Sequence, residues 1–200
     1  MSADPVETVR EFAAQTVAYV RRALGVELGY DSDTLPVLDH YLRTVPATQP
    51  STTALVLTTA AAYFGQVVIA HIGGRWETST AADITGWRVV LPVGLAFSPA
   101  AYVGAAVLGG EPGDLDTTLD APPRMRRYVE EALARMGPVT EAEFYSLCGR
   151  LDTLEHIHEV LVAVAAELAG DPPPGDAAEA EDPDPSDDAA PDDAAPPLVN

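Results

Sequence analysis

The stretch STTALVLTTAAAYFGQVVIAHIGG, residues 51–74, contains no charged side chain and decides the fold of this chain. Its length and continuous apolar character are typical of a helix that is buried on all sides. The alanines at 60–62 and Gly65 make this helix slim, so neighbouring elements can approach its axis closely. The pair Gly73-Gly74 is expected to end it. We therefore predict a central helix around which the rest of the chain packs.

The same stretch is also long enough to cross a lipid bilayer, for which about 20 apolar residues suffice. Polar side chains nevertheless recur along it, at Thr58, Thr59, Gln66 and His71. A helix that is apolar all round is equally typical of the centre of a water-soluble domain. We therefore expect a buried helix and no contact with a membrane.

Two helices are predicted upstream of the central helix. Asp4 and Glu7 have the spacing of a capping box around Pro5, which suits the first helical position, and Gly25 ends this helix. The segment Asp31-Ser32-Asp33-Thr34 then offers several capping side chains for a second helix.

Downstream of the central helix, three segments predict β-strands: residues 75–78, 86–91 and 93–97. Apolar and polar side chains alternate around Trp87 and Val89, which gives the sheet one buried face. The expected fold class is α+β, with a mainly antiparallel sheet of three or four strands packed on the apolar central helix.

Helical patterns return after the strands. Ser98-Pro99 begins a helix that runs to about Leu108, and Pro122-Pro123 begins another. The inward-facing residues of this second helix are predicted to be Met125, Val129, Leu133 and Met136. Thr140 and Glu143 form a capping box for the last helix, so the chain is expected to close with a C-terminal helical hairpin.

The last helix carries an apolar seam whose positions alternate spacings of three and four residues. The seam consists of Phe144, Leu147, Leu151, Leu154, His158, Leu161, Ala165 and Leu168. It either packs inside the hairpin of one chain or forms the contact of a homodimer, and both arrangements fit the sequence. His158 is the titratable member of an otherwise apolar series.

Three strings carry a resemblance to other proteins: LGYDSDTL at 28–35, AYFGQV at 62–67 and GGRW at 73–76. Together they resemble a loose group of uncharacterised bacterial proteins with an extended segment, an apolar helix and a Gly-Gly-x-Trp entry to a small sheet. The resemblance covers about residues 26–97 and implies this fold without implying an activity. Gln66 stands where the group usually has glutamate, so an acid/base role there is in doubt.

Two groups of residues are candidate sites. Tyr63, Gln66, His71 and Trp76 place polar groups in an apolar wall, where they either line a small ligand pocket or form hydrogen bonds in the core. Arg124, Arg126 and Arg127 lie in the first turn of a helix, whose dipole already makes that end positive. Their charge is expected to be balanced by Asp114, Asp116 and Asp120, by an acidic tail, or by an acidic partner.

The charge distribution divides the chain into a domain at 1–170 and a tail at 171–200. The tail has ten acidic and no basic residues, and it is rich in proline and alanine. Low hydrophobicity combined with one-sided charge predicts a disordered tail. The formal net charge of −20 opposes binding to nucleic acid. One cysteine and no secretory signal favour a cytoplasmic protein.

No pattern in the sequence predicts catalysis, a metal site or a cofactor. His156 and His158 are two residues apart on a helix, so their side chains point roughly 200° apart and cannot grip one ion. Cys148 is expected to be a structural thiol. We therefore expect a non-catalytic protein-interaction module of adaptor, regulatory or immunity type. The alternative is a small-ligand-binding protein or hydrolase-like enzyme with a pocket at the Tyr63 group.

Overall fold

The computed structural model describes residues 5–45, 49–78 and 86–170. Seven α-helices lie in these ranges: α1 (Pro5–Leu24), α2 (Leu35–Arg43), α3 (Pro50–Ile72), α4 (Pro99–Leu108), α5 (Arg126–Arg135), α6 (Glu141–Phe144) and α7 (Leu147–Gly170). Three strands complete them: β1 (Arg75–Glu77), β2 (Arg88–Val90) and β3 (Ala96–Phe97). The predicted α+β class is confirmed. The tail at 171–200 and the capping residue Asp4 fall outside the described residues.

The sheet is antiparallel throughout, with strand order β1-β2-β3, as the sequence predicts. Val89 is its central residue, paired with Trp76 on one side and with Phe97 on the other. A short fourth segment is attached to β3 because Ala96 and Asp120 exchange two backbone hydrogen bonds of 2.8 Å. Trp87, Val89 and Leu91 are buried, which matches the predicted alternation.

The central helix α3 contacts α1, α4 and α7. Its middle is fully buried at Tyr63 and Phe64. At Gly65, a Cβ atom would lie 2.2 Å from Cζ2 of Trp76, so the absence of a side chain there is what admits the indole. In the described ranges, α3 is the helix with the length and apolarity to cross a membrane, and 56% of its most apolar window is buried against other parts of the chain.

The ends of α4 follow the predicted signals. Ser98 Oγ accepts a hydrogen bond from the backbone N–H of Ala101 at 3.4 Å, as an N-cap side chain does. Gly109 ends the helix in the left-handed conformation with φ 61°.

The last helix does not run continuously from Thr140, contrary to the prediction. The capping box of Thr140 and Glu143 is present, but it begins only α6, which ends at Phe144. A separate helix, α7, starts at Leu147. The chain therefore contains a break at residues 145–146, which the regular spacing of the apolar residues did not indicate.

New capping groups at the start of α7 explain the break. Asp39 in α2 is buried, and its carboxylate accepts hydrogen bonds from the backbone N–H groups of Leu147 at 2.7 Å and Cys148 at 3.2 Å. Ser146 Oγ accepts from the N–H of Gly149 at 3.0 Å. The first three N–H groups of α7, which have no partner within the helix, are thus all bonded.

The helix that begins near Pro123 also differs from the prediction. A 3-10 turn at Pro123–Met125 precedes α5, which packs against α7. Met125 and Val129 are buried as expected, but Leu133 is 44% exposed. Leu133 does not face the core; it lines a cavity between α5 and the start of α7.

Candidate functional site

Tyr63, a predicted pocket residue, is buried and acts as a structural anchor. Its hydroxyl oxygen accepts a hydrogen bond from the backbone N–H of Tyr30 at 3.1 Å and lies 3.3 Å from Oγ1 of Thr34. Burial raises the pKa of Tyr63. The phenol therefore fastens the segment before α2, where Tyr30 has the unusual φ of 57°, to the central helix.

The other three predicted pocket residues are not gathered around a shared space. His71 Nε2 lies 3.1 Å from Oε1 of Glu155 and so links the end of α3 to α7. Trp76 packs over Gly65 and meets Trp87 edge to face, with the ring centroids 6.3 Å apart. Gln66 is half-buried on α3. The three cavities described for this chain are lined by other residues.

The predicted seam is buried within one chain in its middle but not at its ends, since Phe144 is 45% and Leu168 is 49% exposed. Four of its leucines are buried to 2% exposure or less: Leu147, Leu151, Leu154 and Leu161. They belong to the same core cluster as the buried residues of α2, α3 and α5. His158 is half-buried, and its Nε2 has no hydrogen-bond partner among the described residues. These leucines are not exposed to a second chain.

The arginine cluster lies exposed at the start of α5. Arg127 donates a hydrogen bond to the hydroxyl of Tyr128 and stacks on that ring. No ion pair within the described ranges involves Arg124, Arg126 or Arg127. Of the acids expected to balance them, Asp120 pairs instead with Arg88 at 2.5 Å.

The largest of the three cavities has a volume of about 620 Å³ and lies beside the start of α7. We call it the Arg150 cleft, because the half-buried side chain of Arg150 lines it. Its apolar wall consists of Leu119, Leu133, Met136, Val139 and Phe144. Three of these side chains are unusually exposed for their type: Leu133 at 44%, Val139 at 54% and Phe144 at 45%.

Aromatic rings hold the Arg150 guanidinium in place. Its central carbon lies 4.2 Å from the ring centroid of Phe144 and 4.9 Å from that of Tyr102. Rings at these distances attract a cation through their quadrupole. Burial lowers the pKa of Arg150, although an arginine remains charged at physiological pH.

No acidic side chain of the described chain pairs with Arg150. Its Nε is buried and has no hydrogen-bond partner there. Glu143 is engaged by Thr140, whose N–H lies 3.0 Å from Oε2. Glu111 accepts a hydrogen bond from the hydroxyl of Tyr145 at 3.1 Å. Asp152 lines the cleft but is exposed to solvent. Among the residues that the structure describes, no anion therefore contacts the guanidinium.

Cys148 also lines the cleft, but its thiol has a structural role and not a catalytic one. Burial, followed by the hydrogen bond to Asp39, raises the pKa of the thiol to about 12. A thiol with that pKa is a poor nucleophile at neutral pH. The thiol is thus protonated although Cys148 is the second residue of α7, a position that often favours the thiolate.

The residues at 5–45, 49–78 and 86–170 contain no group of three His, Cys, Asp or Glu side chains that could hold a metal ion. Sequence reasoning missed Arg150 as a site residue. The signal was a lone arginine in LCGRLDTL, residues 147–154, between seam positions that are buried. No protein-family model, curated protein or solved structure matches this chain.

Proposed function

We propose that this chain is a non-catalytic protein-interaction module, and that the Arg150 cleft is its recognition surface. The observation that carries the proposal is the exposure of Leu133, Val139 and Phe144 around one concave surface. Large apolar side chains grouped at a cavity mark binding sites more often than single exposed apolar residues do. Arg150 lines the same cavity as these apolar side chains, and arginine is among the residue types enriched in interface hot spots.

The cleft chemistry supports binding over catalysis. Ser146 and Cys148 line the cleft, and each carries a group that acts as a nucleophile in some enzymes. Ser146 Oγ instead donates to the carbonyl of Glu143 at 2.7 Å and caps α7. The Cys148 thiol has a raised pKa.

The domain that carries the cleft is proposed to be water-soluble and cytoplasmic, with α3 as its core helix. It is proposed to contact neither membrane nor nucleic acid. In this arrangement the sheet packs on α3, and α5 with α7 forms the C-terminal helical hairpin. The proposed partner is another protein, with a second copy of this chain as the alternative. A small-ligand or hydrolase role at the Tyr63 group has less support, because Tyr63 and His71 make hydrogen-bond contacts and Trp76 packs over Gly65.

Peptides selected against the full chain from a phage-displayed library test the proposal. We expect the selected peptides to lose at least about tenfold in affinity for the Leu133→Asp variant, because a charge then faces the apolar wall. Leu168→Asp is the matched control: Leu168 is 49% exposed on α7, outside the cleft. Equal binding to both variants would contradict the proposal.

The second-copy alternative is tested by light scattering coupled to size-exclusion chromatography. A dimer that Leu133→Asp converts to a monomer would identify the partner as this chain itself. A monomer at high concentration would exclude this alternative and leave the heterologous partner.

A further inference from the structure

We propose that Arg150 is a carboxylate receptor, and that the cleft takes a carboxylate carried next to a bulky apolar group. The inference rests on the proposed function of the cleft as a binding site and names the chemistry of its ligand. It comes from the combination of one unpaired cation with an apolar wall at a single cavity.

Arg150 is a half-buried cation that contacts no anion among the described residues. A half-buried cation loses hydration and is stabilised when an anion or hydrogen-bond acceptor replaces the lost water. The rings of Phe144 and Tyr102 supply part of that stabilisation. They are not charged acceptors, however, and the planar N–H donors of a guanidinium match the two oxygens of a carboxylate.

The charge of the chain limits which anion can bind. With a formal net charge of −20, the protein repels polyanions at long range. The acids Glu111, Glu143 and Asp152 also lie near the cleft, so its surroundings are not basic. This field also opposes a carboxylate, so its binding depends on short-range contacts with Arg150. Nucleic acid meets the same repulsion at every phosphate and does not fit the cleft.

The apolar wall defines the rest of the ligand. Leu133, Met136 and Val139 offer apolar surface in the same cavity as Arg150, and the volume of about 620 Å³ lies in the range of sites for small molecules. The ligand is an Asp or Glu side chain of a partner segment, with a large apolar neighbour that packs on this wall. A free carboxylate with an apolar chain carries the same two groups and is the alternative outcome of the test.

Calorimetric titration of the full chain with two matched pairs of probes separates these sources. One pair is octanoate and octanol. The other is the acetylated and amidated tripeptide Leu-Phe-Asp and its Leu-Phe-Asn counterpart. We expect Leu-Phe-Asp to bind roughly ten- to a hundredfold more tightly than Leu-Phe-Asn, as a charge-assisted hydrogen bond requires. A preference in the octanoate pair alone would overturn the peptide ligand and identify a free carboxylate instead.

Variants assign the preference to Arg150. We expect Arg150→Met to remove the preference and Arg150→Lys to keep part of it, because lysine retains the charge without the planar pair of donors. Arg10→Met, at an exposed position in α1, is the matched control and should keep the full preference. If circular dichroism shows that Arg150→Met is unfolded, the carboxylate preference is still tested by comparing the probe pairs on the unaltered chain and on Arg150→Lys.

Equal affinity of the charged and neutral probes for the unaltered chain would overturn the carboxylate receptor. The interaction module would survive that result if Leu133→Asp still abolished binding of the selected peptides. A carboxylate preference that persists in Arg150→Met would also overturn the inference, because another residue would then be the receptor.

Discussion

The carboxylate of Asp39 accepts a hydrogen bond of 2.7 Å from the backbone N–H of Leu147, joining α2 to the start of α7 across 108 positions of the chain. The carboxylate is buried, and it meets the positive end of the helix dipole of α7. This pairing both stabilises the domain and fixes the first turn of α7, on which Arg150 lies.

Asp39→Ala should therefore lower the free energy of unfolding by about 2–4 kcal/mol, because it leaves one buried and one part-buried N–H group without an acceptor. Asp39→Asn, which keeps one acceptor oxygen, should cost less. Urea denaturation measures both effects. Asp33→Ala is the control at an exposed position before α2, and an equal loss in that variant would show that the cap is not the cause.

Tyr63→Phe should lower the free energy of unfolding by about 1–2 kcal/mol, because the N–H of Tyr30 loses its acceptor while the packing of the ring remains. Amide hydrogen exchange should also become faster at Tyr30. Tyr19→Phe is the matched control, since the hydroxyl of Tyr19 makes only a 3.5 Å contact with Gln15 within α1. Unchanged exchange at Tyr30 in Tyr63→Phe would contradict the anchoring role.

Gly65→Ala should destabilise the domain by about 1–3 kcal/mol, because the new methyl group overlaps the indole of Trp76. Gly137→Ala, where a Cβ atom meets nothing within 4 Å, should change stability little. Combining Gly65→Ala with Trp76→Leu should cost less than the sum of the two single losses. Thermal unfolding of the unaltered chain, the two single variants and the double variant measures this coupling. Strict additivity of the two substitutions would refute direct contact.

Cys148 should resist alkylation by iodoacetamide in the folded protein at mildly alkaline pH and react rapidly after unfolding in urea. The reason is its pKa of about 12, raised by burial and by the bond to Asp39. Because the folded pKa lies above the ordinary value of 9.0, the thiol's contribution to stability is complete below that pH and is lost as the pH rises toward about 12.

The comparison of Cys148→Ala with the unaltered chain isolates this contribution from the tyrosines that titrate in the same range. We expect the loss of stability between these two pH values to be smaller in the variant. Fast alkylation of the native thiol would show that Cys148 is more exposed and more acidic than its surroundings imply.

Local patterns predicted much of the fold. The uncharged stretch around Tyr63 predicted α3, and the alternation around Val89 predicted the antiparallel sheet, because burial imposes the period of each element. Ser98 and Thr140 marked helix starts through contacts only three residues long. Information of this kind lies within a few residues of the element it specifies.

The break before α7 and the Arg150 cleft could not be predicted in the same way. The break depends on Asp39, which lies in another helix, and no spacing near Leu147 reveals that partner. The cleft depends on α5, the turn after it and α7 meeting around one arginine. Tyr63 and Trp76 looked like ligand residues because polar groups in an apolar stretch have the same pattern whether they face a void or satisfy the core.

The order in which the partners of α3 are synthesised has a consequence for the cell. Of the helices that pack most extensively on α3 in the described residues, α1 precedes it, whereas α4 and α7 emerge from the ribosome later. A nascent chain that ends before α7 therefore presents one side of a helix with mean hydropathy 1.6 to its surroundings. Transiently exposed apolar surface promotes aggregation, so pausing of translation before the codons of α7 should increase aggregation of the nascent chain.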